Sequence, residues 1–165
     1  MSIVVAHGAR SDLPPIQMSN GLTSVFVSVL ALAASSLAQS GREREMAVWL
    51  ASHDQGIFGR GAVDFDVCDY PWDRRTFDQD KSFLLSVIRA ASSQHEWSKL
   101  GYSPRAEWVL ECLSKFEHLV QIFFPDHMIP AEEQKWFGER PSKYELCPTH
   151  GVYLHSHGCV ICNDA

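Results

Sequence analysis

The chain has 165 residues, and its content of 45% hydrophobic and 21% charged residues is that of a globular protein large enough for one hydrophobic core. Its formal net charge is −6, whereas most of the affinity for nucleic acid comes from lysine and arginine contacts with phosphate. We therefore expect one main domain with a small appendage and no nucleic-acid partner.

The chain begins with a short run of mostly β-branched residues, Ile3-Val4-Val5-Ala6. Such residues favour extended backbone, so the run predicts an N-terminal arm or an edge strand. The Pro14-Pro15 pair then interrupts regular structure before the next element.

The segment from Asn20 to Gln39 contains no charged residue and predicts a long helix. One stripe of this helix is small and mostly polar, and the other faces are apolar. The stripe consists of Asn20, Ser24, Ser28, Ala31, Ser35 and Gln39. We expect this segment to be the central helix of the fold, because its small residues allow a neighbouring element to approach closely. The alternative is a polar groove lined by the serines. The apolar run, of about 17 residues and interrupted by serines, favours a buried helix over a signal peptide or a membrane span.

Apolar residues at three- and four-residue spacing indicate three further long helices. We expect them over residues 42–55, from Asp73 or Thr76 to about residue 97, and from Ser103-Pro104 to Pro125, with a short helix over 131–137. The predicted fold is mainly α: a four-helix-type bundle with a short strand region and a C-terminal zinc-stabilised β-hairpin. The predicted divisions are a helical domain (1–125), a connector (126–146) and a zinc-binding hairpin (147–165).

An acidic segment lies between the second and third predicted helices. Residues 63–68 alternate between apolar and polar side chains, which predicts a strand with one buried face, and residues 64–80 contain six aspartates against two arginines. A face of this charge would attract a basic protein, and its candidate binding residues are Asp64, Asp66, Asp69 and Asp73. The alternatives are a hard-cation site at Asp64 and Asp66, and a solvated strand followed by a helix start that aspartates stabilise.

The clearest chemical pattern is C-x2-H-x8-C-x2-C near the C-terminus, formed by Cys147, His150, Cys159 and Cys162. Two donor pairs separated by a span long enough to turn can meet at the corners of a tetrahedron, the geometry of closed zinc sites. We therefore predict that these four residues hold a structural zinc ion. Two further histidines inside the span, His155 and His157, are substitute ligands in an alternative interpretation.

This stretch resembles the zinc-ribbon and treble-clef class of zinc knuckles, with Cys147, His150, Cys159 and Cys162 at the ligand positions of that class. The resemblance covers roughly the last tenth of the chain, and it implies a structural zinc that holds together a hairpin too small to fold alone. A shell closed by four protein ligands leaves no position for water or substrate, which indicates a structural and not a catalytic ion.

Two cysteines, Cys68 and Cys112, lie outside the zinc pattern. Metal-bound thiolates usually accompany a reducing compartment, so we expect both to be free thiols and the protein to be cytoplasmic, with no membrane partner.

Three functional hypotheses follow. The favoured one is a non-enzymatic, zinc-containing protein-binding module, for example an acidic immunity- or inhibitor-type protein that neutralises a basic partner. The second is a metal-dependent or acid–base enzyme, although the available residues form no spacing signature of a nucleophile and its base. These residues are His53, Asp64, Asp66, His95, Glu111 and His118. The third is a regulatory zinc or redox sensor that loses its metal when thiolates are oxidised.

Overall fold

The computed structural model describes residues 2–164, which form a mainly α structure with a small three-stranded sheet. The helices are α1 (Asn20–Leu37), α2 (Gly41–Ala51), α3 (Gln55–Phe58), α4 (Phe77–Ser92), α5 (Ala106–Gln121) and α6 (Val160–Asp164). The strands are β1 (Ser2–Ala6), β2 (Ile16–Ser19) and β3 (Phe65–Asp66). Short 3-10 turns lie at Val67–Asp69, Arg74–Thr76, Trp97–Leu100, Pro125–His127 and Ala131–Glu133.

Helix α1 is the element around which the others pack. Ser19 caps it, since its hydroxyl accepts a hydrogen bond from the Leu22 N–H at 3.3 Å. The helix contacts α2, α4, α5, α6, β1 and β2. By length and composition it is also the one helix within residues 2–164 that is long and apolar enough to cross a membrane, and 67% of that span is buried inside the protein.

The sheet has the strand order β2-β1-β3, with β1 antiparallel to β2 and parallel to β3. The N-terminal run is therefore the middle strand, and the prediction of an arm or edge strand was wrong. Ile3 and Val5 are fully buried, as expected for the middle strand of a sheet that packs on the core.

The predicted strand over residues 63–68 is limited to Phe65–Asp66. The Asp66 carboxylate accepts a hydrogen bond from the Cys68 N–H at 2.8 Å and so starts the 3-10 turn Val67–Asp69. The alternation of apolar and polar residues continues past Asp66, but this local cap ends the strand.

Helix boundaries differ from the prediction in several places. Helix α1 ends at Leu37 and α4 ends at Ser92, before the predicted ends at Gln39 and about residue 97. The second helix ends at Ala51, and the short α3 follows it after a break. Helix α5 begins at Ala106, after the expected Ser103-Pro104 start, and has no side-chain cap. The short helix expected over residues 131–137 is only the 3-10 turn Ala131–Glu133.

One hydrophobic core joins the N-terminal strand to the C-terminal residues. It extends from Ile3 through α1, α4 and α5 to Val152, Val160 and Ile161. The cysteine-rich tail, which we define as residues 146–164, therefore shares its buried side chains with the helical body.

Candidate metal centre

The first donor pair lies in a tight turn. The Cys147 N–H donates to the Val152 carbonyl, and the Gly151 N–H donates to the Cys147 carbonyl, each at 2.8 Å. Gly151 has a φ of +66°, a conformation that glycine adopts without strain. The turn points Cys147 and His150 to the same side, and a bridge between Leu146 and Tyr153 closes it.

The second donor pair lies at the start of α6. A bridge between His155 and Gly158 precedes it, with Gly158 at φ +104°. Cys159 comes immediately before the helix and Cys162 lies in its first turn, where the Cys162 N–H donates to the Cys159 sulfur at 3.4 Å. Where the sequence predicts a complete hairpin, the structure thus has two isolated bridges followed by a helical turn.

The four donor atoms form a compact tetrahedral group, all within 4.8 Å of one another. The Nδ1 atom of His150 lies 3.7 Å from the Cys147 sulfur, 3.6 Å from the Cys159 sulfur and 3.3 Å from the Cys162 sulfur. The Cys147 and Cys162 sulfurs are 3.7 Å apart, and none of the cysteines forms a disulfide. The group could hold a metal ion, with Cys147 and Cys159 buried and Cys162 exposed.

The thiols of this group have divergent pKa values because burial and hydrogen bonds act on them to different extents. Burial alone would raise the pKa of Cys147, but hydrogen bonds from the backbone of His150 and Thr149 and from the His150 side chain lower it to about 6. Burial raises the pKa of Cys159 to about 12, and burial and the Cys147 side chain raise that of Cys162. A metal ion would supply the positive charge that allows all three to be thiolates.

His155 and His157 lie outside this group. The Nδ1 atom of His155 accepts a hydrogen bond from the His157 N–H at 3.2 Å, so its proton is on Nε2. That Nε2–H donates to the Asp54 carboxylate at 2.7 Å, in a pair that is buried on both sides. His157 contacts the Phe58 ring and the Ser156 hydroxyl.

Sequence reasoning missed the contacts that fix the tail on the helical body. The Tyr153 N–H donates to the Ser35 hydroxyl at 3.0 Å, and the Ser24 hydroxyl donates to Asp164 at 2.9 Å. Both serines belong to the small polar stripe of α1, so part of the stripe binds the tail. The uncharged stripe of α1 indicated that another segment packs closely against this helix, but it did not identify that segment as the tail.

A close backbone approach completes the attachment. A Cβ atom on Gly56 would lie 2.7 Å from the Asn163 carbonyl oxygen, closer than packed atoms allow. The Asn163 side chain donates to Asp54 and to the His157 carbonyl, at 2.9 and 3.0 Å. Glycine at position 56 therefore lets α3 and α6 touch.

The four candidate aspartates for partner binding all bond to the chain's own backbone. Asp64 accepts from the Val4 N–H at 2.6 Å, Asp66 from Cys68, Asp69 from Lys135 at 3.3 Å, and Asp73 from Arg75 at 2.8 Å. Burial raises the pKa of Asp69, whereas hydrogen bonds from Arg75 lower that of Asp73. Each aspartate thus has a local structural role, and its role in binding a partner stays a prediction.

The candidate acids and bases of the enzyme hypothesis occupy separate places. His53 is buried and contacts the Trp49 carbonyl at 2.9 Å, whereas His95 contacts the Ser36 hydroxyl at 2.7 Å. Glu111 pairs with Lys115 one turn along α5. Within residues 2–164, the Cys147 group is the one set of three or more histidine, cysteine or acidic side chains placed to share a metal ion.

Comparison of the chain with protein-family models, curated proteins and solved structures finds no match.

Proposed function

We propose that the Cys147, His150, Cys159 and Cys162 side chains bind one structural zinc ion. Zinc–sulfur bonds of about 2.3 Å and zinc–nitrogen bonds of about 2.0 Å at tetrahedral angles place sulfurs about 3.8 Å apart and sulfur about 3.5 Å from nitrogen. Four of the six donor separations, at 3.3–3.7 Å, support this proposal, and all six lie within 4.8 Å. Three thiolates with one imidazole also form a donor set that binds zinc in preference to magnesium or calcium.

The four side chains would complete the coordination shell of the proposed ion, which favours a structural role. We further propose that the tail is a zinc knuckle of the zinc-ribbon and treble-clef class, and that α1, α2, α4 and α5 form a four-helix-type bundle to which it is attached. The ion would then hold the tail against α1 and α3, where the tail contacts Asp54, Ser35 and Gly56.

The metal proposal is tested by the zinc content of protein purified without added metal. We expect one zinc per chain in the native protein and in Cys112→Ala, a buried cysteine outside the group that serves as matched control. Cys159→Ala and His150→Ala should lose it. Native protein without zinc, or zinc retained by Cys159→Ala, would overturn the proposal.

We infer that the protein as a whole is a non-enzymatic binding module for a basic protein. The charge of −6 supports this inference, as does the exposure of Asp64 at the edge of the acidic segment. Free cysteines throughout the chain support a reducing, cytoplasmic location.

The binding proposal is tested by titration against a panel of purified small basic proteins, nucleases and toxins at low and high salt. We expect at least one salt-dependent complex, weakened by Asp64→Asn and Asp73→Asn, which keep an acceptor for their backbone bonds. Asp126→Asn, an exposed aspartate outside the segment, is the matched control. No complex at low salt, or equal weakening by the control, would refute the proposal.

A second candidate function, a redox sensor, is favoured by one observation: exposed Cys162 lies 3.7 Å from Cys147, sulfur to sulfur. Hydrogen peroxide would take two electrons from this pair of thiolates, giving one disulfide and, with two protons, two molecules of water. The metal would lose two ligands and dissociate. One equivalent of peroxide should therefore release zinc and link Cys147 to Cys162, and a different linkage or retained zinc would count against the sensor.

A further inference from the structure

A polar cavity of about 520 Å³ lies where the tail meets the helical body. Its walls come from the first turns of α1, from α3 and the turn after it, from the segment before α5, and from α6. A volume of this size accommodates a small organic molecule. The residues that matter to its chemistry are Asn20, Ser24, Gln55, Arg60, Tyr102 and Asp164.

Two opposite charges line this cavity without pairing. Arg60 lies in the exposed turn after α3, and none of the ion pairs within residues 2–164 involves it. Asp164 uses one carboxylate oxygen to accept from the Ser24 hydroxyl. These two charges come from segments about a hundred residues apart and line a shared space.

Two carboxamide oxygens on the same wall lack hydrogen-bond donors. Gln55 uses its Nε2 to donate to the Asn20 carbonyl at 2.6 Å and to the Ser24 hydroxyl, which leaves its Oε1 buried without a partner. The Oδ1 atom of Asn20 is also buried and unpartnered among the described residues. Buried polar atoms are normally hydrogen-bonded, so these two oxygens are unused acceptors beside the cavity.

We propose that this cavity binds a small zwitterion, of which a free α-amino acid is the simplest member. Its carboxylate would pair with the Arg60 guanidinium, and its ammonium would donate to Asp164 and to the carboxamide oxygens of Asn20 or Gln55. The Tyr102 ring, 47% exposed at the rim, would cover an apolar side chain of the ligand. This function is independent of the proposed basic protein partner.

The α6 wall of the cavity depends on the metal centre. Asn163 and Asp164 directly follow the proposed ligand Cys162, and Asn163 is held by Asp54 and the His157 carbonyl. Loss of the metal should release this wall, so binding of the zwitterion should require the loaded metal centre.

The test is calorimetric titration of the native protein with L-phenylalanine, L-leucine and the other amino acids. Each ligand is matched by an acid without the amine and an amine without the carboxylate, such as 3-phenylpropionate and phenethylamine for phenylalanine. We expect at least one amino acid to bind at least tenfold more tightly than either matched compound. No binding below millimolar concentration, or equal binding of the acid or the amine, would overturn the proposal without the use of any variant.

Two variants then assign the charges. Arg60→Gln and Asp164→Asn should each weaken binding at least tenfold, whereas Arg74→Gln and Asp78→Asn, exposed residues away from the cavity, should leave it unchanged. Zinc content and the thermal midpoint, measured on the same preparations, check that the variants fold. Binding unaffected by both cavity variants would overturn the assignment, and the zinc and basic-protein measurements report separately on the proposed function.

Discussion

The Nε2 atom of His155 donates a hydrogen bond of 2.7 Å to the Asp54 carboxylate, and this bond joins the tail to the turn between α2 and α3. The side chains are 0% and 1% exposed. Asp54 also accepts from the Gly56 N–H and from the Asn163 side chain. One buried carboxylate therefore receives donors from both sides of the contact between tail and body.

We expect Asp54→Ala to destabilise the protein by about 3–5 kcal/mol, because it leaves His155, Asn163 and the Gly56 N–H without their acceptor in a buried place. Urea unfolding followed by circular dichroism measures the change. Asp12→Ala is the control: its carboxylate forms an ion pair with Arg10 at the surface, so we expect little effect. A loss from Asp54→Ala as small as that of the control would contradict the structural role of Asp54.

Metal chelation should loosen the tail before the helical body unfolds. The tail has little regular structure of its own, whereas α1, α4 and α5 pack against one another. Hydrogen exchange with and without a chelator should therefore show lost protection over residues 146–164 and retained protection in the centre of α1. Equal loss in α4 and α5 would show that the metal holds the whole fold together.

A second buried carboxylate supports the helical body. Asp80 is 1% exposed and accepts hydrogen bonds from the Arg42 side chain at 2.8 Å, the Thr76 hydroxyl at 3.0 Å and the Asp73 N–H at 3.3 Å. We expect Asp80→Ala to cost about 1–3 kcal/mol, since it leaves the Thr76 hydroxyl and the Asp73 N–H without this acceptor. Arg42 keeps its ion pair with Glu45 and its hydrogen bond to the Pro71 carbonyl. Asp78→Ala, exposed on the same helix, should cost far less in the same unfolding measurement.

His53 should make stability depend on pH. Burial lowers its pKa from 6.5 to about 4, despite hydrogen bonds with the backbone of Trp49 and Leu50 that act in the opposite direction. The unfolded chain therefore takes up a proton as the pH falls below 6.5, and the folded chain does so only near pH 4. Stability should decrease across this window by roughly 3 kcal/mol at most.

The variant His53→Gln should lose this part of the pH dependence, because glutamine has no group that titrates between pH 6.5 and 4. Unfolding curves at pH 7, 5.5 and 4.5 for native and variant proteins give the difference. His118→Gln, on the exposed side of α5, is the control and should keep the native slope. If the unfolding free energy of His53→Gln changes with pH as much as that of the native protein, other groups cause the pH dependence.

The Cys147 group and the long helices could be predicted from local sequence, because both depend on spacing along the chain. Donor pairs at x2 spacing specify the Cys147 group, and apolar periodicity specifies α1, α4 and most of α5. The boundaries failed where a single side chain decides the backbone, as Asp66 does at the end of β3.

The contacts between distant segments could not be predicted, because no local pattern carries them. The alternative of a solvated helix start would leave Asp80 in water, yet Asp80 is buried and accepts a hydrogen bond from Arg42, 38 residues earlier. The middle position of β1 likewise depends on Phe65 and Asp66, which pair with it although they follow α1 and α2 in the sequence. Asp54 and His155 are 101 residues apart in the sequence, and no pattern around either residue predicts that they pair.

The hydrogen bond between Tyr153 and Ser35 joins residues 118 positions apart. A ribosome that adds roughly 5–20 residues per second needs on the order of ten seconds to synthesise the intervening chain. During that time the most apolar helix has no tail to cover its serine stripe, so its surface is open to chaperones or to other nascent chains. The fold can therefore be completed only after Tyr153 has been synthesised, and cellular yield should depend on how well α1 is shielded in the interval.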